Sequence, residues 1–127
     1  MAQTLTRLPV PEAPVRTAPH NIEAEQALLG ALLVNNDAYY RVSDFLEAEH
    51  FSEDIHRRIY EISQQLIRAG KLATPITLKT FLGDHDLGGR TVSQYIARLA
   101  VEATTVINAE AYGRTIYDLA MRRRLLT

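Results

Sequence analysis

The stretch "SEDIHRRIYEISQQLIRAG", Ser52 to Gly70, decides the fold class. Ile55, Ile59, Ile62 and Leu66 recur at steps of four, three and four, which gathers them on one face of an α-helix. Ser52 is suited to cap its start and Gly70 to stop it. A helix with one apolar stripe needs other apolar surfaces to cover it. The flanking segments supply them at the same helical spacing, and no alternating strand longer than three or four residues stands among them.

Upstream, Asn21 is the expected N-cap of a first helix, with Glu23 and Glu25 at its positive end. Ala24, Leu28, Ala31 and Leu32 share a face, and Leu29 and Leu33 widen the stripe until the helix reads as deeply buried. Asn35 and Asn36 are expected to take the left-handed conformation that ends it. Asp37 then caps a short helix through Val42, which leads into an apolar plug of Phe45, Leu46 and Phe51. Downstream, Thr77 or Thr74 caps a fourth helix with Pro75 as a rigid entry and Leu78, Phe81 and Leu82 inward. Thr91 starts a fifth, with Val92, Tyr95, Ile96 and Leu99 inward, and "VEATTVI", residues 101–107, reads as a β-branched connector.

The last helix is capped by Asn108, with Glu110 in its first turn. Tyr112, Ile116, Leu119 and Arg123 lie on one face, and Tyr117, Ala120 and Leu126 lie close by. The sequence runs out at "MRRRLLT" with neither glycine nor proline, so a cut partway through a longer element is expected, with an uncovered stripe. That stripe serves partner-helix packing or simple core packing. The bare residues do not choose.

A chain of 127 residues, 46% of them apolar, has the length and composition of one soluble globular domain. Four of its five prolines fall within the first twenty residues, so residues 1–20 are expected to form a flexible arm. Zero cysteines exclude a disulfide framework and any thiolate zinc site. His20, His50, His56 and His85 have no metal-ligand spacing, and Asp84, His85 and Asp86 sit among glycines as a solvated turn. Fourteen basic against fifteen acidic side chains leave a net charge of −1, so the fold as a whole offers no electrostatic footprint for nucleic acid. With no secretory leader and no run long enough to span a bilayer, the expectation is an intracellular, soluble protein.

The stretch "GDHDLGGRT", residues 83–91, comes near the phosphate loop G-x-x-x-x-G-K-[ST], but Gly89 stands where the lysine must be and Arg90 comes one place late. Helical spacing before it, rather than a buried strand, makes it a turn between helices. The paired carboxylates Glu47 with Glu49 and Glu53 with Asp54 flank helix starts and do not converge. Ser43, Ser52 and Ser93 have no histidine and acid in a nucleophile setting. Arg114 and Arg122 to Arg124 form the one basic cluster, read as a cationic helix C-terminus, or else as a contact for phosphates or an acidic partner. No catalytic, cofactor-binding or metal residue is nominated.

Three segments, "PHNIEAEQALLGALL", "FSEDIHRRIYEISQQLIRAGKLATPITLKTFL" and "YIARLAVEATTVINAEAYGRTIYDLAMRRRLL", together resemble the amino-terminal domain of bacterial replicative helicases of the DnaB family. The resemblance runs from Pro19 to the end. It implies an all-α fold, a compact orthogonal bundle of about five helices over residues 21–107, with residues 108–127 as the first arm of a truncated helical hairpin. It also implies subunit pairing through that hairpin into a homodimer within a homohexamer, with docking of the primase C-terminal domain and, in some lineages, a helicase loader. ATP, magnesium and most DNA contacts are expected in an absent ATPase domain that drives 5′ to 3′ unwinding at the cytoplasmic replication fork. The residues nominated for subunit or partner contact are Tyr112, Ile116, Tyr117, Leu119, Ala120 and Arg123. A small helical nucleic-acid binder and a free-standing adaptor are the rival readings.

Overall fold

The computed structural model describes residues 20–103 and 108–126. Among them are five α-helices, α1 (Ile22–Val34), α2 (Asp54–Arg68), α3 (Pro75–Leu82), α4 (Val92–Glu102) and α5 (Ala109–Leu125). Two 3-10 turns, Asn36–Arg41 and Ala48–His50, stand between α1 and α2. Among the described residues there is no strand, only an isolated bridge between Asp86 and Thr91. The all-α expectation holds. The proline-rich arm lies outside the described residues except for His20.

Helix α1 is the axis of the bundle. Ala24, Glu25 and the unbroken run Leu28 to Leu33 are buried, because α2, α4 and α5 all pack against it. A helix covered from several sides needs apolar residues around most of its circumference, which is what the widened stripe provides. At Gly30 a Cβ would stand 2.2 Å from the Leu99 carbonyl oxygen and 2.6 Å from Ala103 Cβ. Only glycine lets α1 and α4 approach this closely.

The plug closes the second side of the core. Leu46 and Phe51 are buried, the Phe51 and Tyr60 rings lie 5.0 Å apart, and the Tyr60 hydroxyl donates to the Leu46 carbonyl at 2.9 Å. Helix α2 ends as Gly70 was expected to end it. Gly70 has φ of 77°, its N–H donates to Ile67 and the Lys71 N–H to Leu66, the two bonds of a Schellman stop.

Local caps are partly as expected. Asn21 Oδ1 accepts from the Ala24 N–H at 3.0 Å, Thr74 rather than Thr77 caps α3, and Thr91 caps α4. Three expectations fail, one to a local cap and two because a tertiary partner takes the side chain. Asn35 is extended at φ −143° instead of left-handed, and its own side chain, not that of Asp37, caps the turn that follows. Asn36 instead donates to the Leu32 and Ala73 carbonyls and accepts from the Ala73 N–H, satisfying a loop backbone that would otherwise be buried unpaired. Ser52 does not cap α2, whose N-cap position is Glu53.

One core assignment and one boundary also change. Phe81 is 59% exposed while Leu78 and Leu82 are buried, because the short α3 is covered along one line only. The connector begins later than expected, since Val101 and Glu102 are the last residues of α4. Residues 104–107 lie outside the described residues.

Candidate subunit and partner interface

Helix α5 starts where Asn108 Oδ1 accepts the Ala111 N–H at 3.0 Å. Its inner face is Ala109, Gly113, Ile116 and Ala120, all buried, at steps of four, three and four. A Cβ on Gly113 would stand 2.5 Å from Val42 Cγ1, so a bare backbone is what seats the helix against the head. The Tyr117 ring stands edge-on to His50 at 5.0 Å and to Phe45 at 5.9 Å. The Arg114 guanidinium lies 3.7 Å from the Phe45 ring centre, a cation over an aromatic face.

The arginine cluster closes this seam. Arg123 Nη2 donates to the His50 carbonyl at 2.6 Å, and Arg124 pairs with Glu49. His50 sits at the centre, with Nδ1 accepting the Glu47 N–H at 2.9 Å. Burial holds its imidazole below the ordinary 6.5, with Glu49 acting in the opposite direction. Two of the three consecutive arginines are thus tied to the head's own carbonyl and carboxylate.

The stripe expected to be bare along its length is therefore not bare. Ile116 at 2% and Ala120 at 5% exposure belong to the core, while Tyr112 is 37% exposed. Leu119, Tyr117 and Arg123 are half-buried. What α5 leaves outward is a neighbouring line, Tyr112, Thr115, Leu119, Arg122 and Leu126, which recurs at helical spacing and ends beside Leu125, 86% exposed.

A second constellation escaped the sequence reading. Glu25 and His56 are each 1% exposed, with His56 Nδ1 2.8 Å from Glu25 Oε1 and its Nε2 2.6 Å from the Tyr95 hydroxyl. Ser52 gives its N–H and its hydroxyl to Glu25 Oε2 at 2.9 and 2.7 Å, and Gln26 donates to the Tyr95 oxygen at 3.1 Å. Both ring nitrogens of His56 and both oxygens of Glu25 thus have partners. Burial pushes the Glu25 carboxyl up, but the bonds from His56 and Ser52 outweigh it and hold the carboxyl below its ordinary 4.5.

Serine, histidine and carboxylate in contact suggest a nucleophile triad, but the order is wrong for one. Ser52 bonds the carboxylate and not the imidazole, so the histidine is not placed to take its proton. The network ties α1, α2 and α4 together. The signal for it was a charged residue, Glu25, beside Ala24 on the buried face of α1, opposite a histidine in the first turn of α2.

The loop over residues 83–91 uses its amides on itself. Leu87 N–H bonds Arg90 and Val92 N–H bonds His85, Gly89 N–H bonds Asp86, and Ser93 N–H bonds Asp84. Two carboxylates in that position repel phosphate, so the loop does not fit a nucleotide. Among the described residues no His, Asp or Glu group could hold a metal ion, and no helix is long and apolar enough to cross a membrane.

Residues 17–118 match the family described as the DnaB-like helicase N terminal domain. The chain belongs to that DnaB family. It is 42% identical to the replicative DNA helicase DnaB of Rickettsia felis over 94% of this chain and 24% of that protein. With the Rickettsia conorii protein it shares 42% over 99% of this chain and 25% of that one. The crystal structure of the N-terminal domain of DnaB helicase from Mycobacterium tuberculosis superposes with a TM-score of 0.76 at 26% identity, over 87% of this chain and 77% of that one. The chain thus spans about a quarter of the length of these curated relatives. In this DnaB-family domain the nominated contact residues all fall on α5, divided between a face the head has covered and a face it has not.

Proposed function

We propose that this domain assembles and docks for a replicative DNA helicase and carries no catalysis of its own. Its pairing surface is the outer line of α5, Tyr112, Leu119 and Leu126, with Tyr117 and Arg123 at its margin. Ile116 and Ala120 act from beneath by fixing the helix on the head. The observation that carries this reading is a seated helix whose outward line holds Tyr112 and Leu126 exposed and Leu119 half-buried; the family membership supports it. Two such helices from neighbouring subunits would cover each other, pairing subunits as a homodimer within a homohexamer.

The collar that paired subunits build also receives the primase C-terminal domain or a helicase loader. ATP, magnesium, most DNA contacts and 5′ to 3′ unwinding belong to other parts of the helicase, acting at the replication fork in the cytoplasm. Sedimentation of the 127-residue chain tests the pairing. Leu119→Asp buries an unpaired charge at the seam and is expected to shift the chain to monomer. An unchanged assembly state, or a wild-type chain that is monomeric at every concentration, contradicts it.

A further inference from the structure

The ends of α1 and α2 and the start of α3, joined through Asn36 and Ala73, carry exposed apolar side chains apart from the outer line of α5. Val34 is 54%, Leu72 70% and Ile76 81% exposed. Their frame is held firmly. Asn36 bonds the backbone of Ala73 at both N–H and carbonyl, and Ala73 is fully buried. Thr77 Oγ1 donates to the Leu72 carbonyl at 3.0 Å, and Thr74 and Thr77 close the first turn of α3 reciprocally. Large aliphatic side chains held in water on a rigid frame forgo the free energy that burial would return.

The rim is mainly basic. Residues 34–41 and 68–79 carry Arg41, Arg68, Lys71 and Lys79 against Asp37, with Asp84 of the following loop acting on Lys79. All four cations are exposed, and none is in a salt bridge among the described residues. Arg68 is steadied by the Tyr39 hydroxyl at 2.8 Å.

We propose that this face docks a segment of another protein that presents apolar side chains flanked by carboxylates. The apolar centre gives such a segment its burial, and the cationic rim fixes its sign and orientation. A second copy of the chain would set two basic rims against each other. A nucleic-acid strand would satisfy the cations and leave Leu72 and Ile76 uncovered. The proposal deepens the docking half of the function above and rests on it.

The test is fluorescence anisotropy of two labelled helical peptides with the same leucine stripe, one flanked by glutamates and one by lysines, titrated with the 127-residue chain. The glutamate peptide is expected to bind and the lysine peptide not to. Leu72→Asp with Ile76→Asp should weaken binding at least tenfold, and Lys71→Glu with Lys79→Glu should do likewise. Both pairs are on the surface, so unchanged melting curves will show that the fold is intact. No binding of the glutamate peptide, equal binding by the variants, preference for the lysine peptide, loss of self-association in Leu72→Asp, or binding of single-stranded DNA in place of the peptide each overturns it. A parallel titration with the primase C-terminal domain separates the two readings. Primase that fails to bind the wild type removes the primase assignment while the peptide result still decides the surface.

Discussion

At the scale of single residues, Glu25 has the largest consequence for stability. It is a buried carboxylate with three hydrogen bonds, and removing one partner of such a pair typically costs about 3–5 kcal/mol because the other is left buried and uncompensated. Its folded carboxyl titrates below its ordinary 4.5, so the unfolded chain takes up the proton first as pH falls. The stability it contributes is complete above the ordinary value and is lost as pH drops through the lower, folded one. His50, held below 6.5 by burial, adds a loss of the same sign that begins earlier, as pH falls below its ordinary value. Thermal melts of wild type and Glu25→Gln across this range should show a gap at neutral pH that closes under acid. A gap that stays constant would mean that the carboxylate's charge is not what the network uses. Ser63 presents the opposite case, a fully buried serine whose hydroxyl has no hydrogen-bond partner among the described residues. Ser63→Ala should raise stability by about 1 kcal/mol, which a chemical denaturation curve would show.

At the scale of elements, periodicity sufficed wherever one helix met the core along one line. Residues 55–66 and the inward positions Val92, Ile96 and Leu99 of α4 are where helical spacing places them. It failed where a side chain had two possible partners. Ser52 is spelled as a cap, but Glu25, distant in sequence, takes its hydroxyl; Asn36 is spelled as a helix stop, but the Ala73 loop takes its amide. The α5 seam was half readable for a related reason. The spacing of Ile116, Tyr117, Leu119 and Ala120 is the same whether the covering surface is the head or a neighbour, and the glycine that decides between them, Gly113, carries no side chain to notice. The two faces should respond differently to the same substitution. Ile116→Asp places a charge in the core and should cost several kcal/mol of folding stability, on the order of 3–5. Leu119→Asp should leave the melting temperature of the isolated fold near that of wild type. Equal destabilisation by both would show that α5 has no separate outer face.

Across the whole molecule, the all-α class followed from the periodicity alone, and the family followed from words that only together are specific. The buried network and the split of α5 did not, since both depend on which helices cross and how closely. Gly30 and Gly113 set those distances, at α1 against α4 and at α5 against Val42. On the proposed function, α5 presents one face to its own head and the other to a second subunit. The chain has no cysteine, so single cysteines report contacts between copies without background. Under mild oxidation, Leu119→Cys should form covalent dimers rapidly, while Ile116→Cys and the surface control Arg98→Cys should not. Crosslinking of Ile116→Cys at a comparable rate, or none at Leu119→Cys, would contradict it.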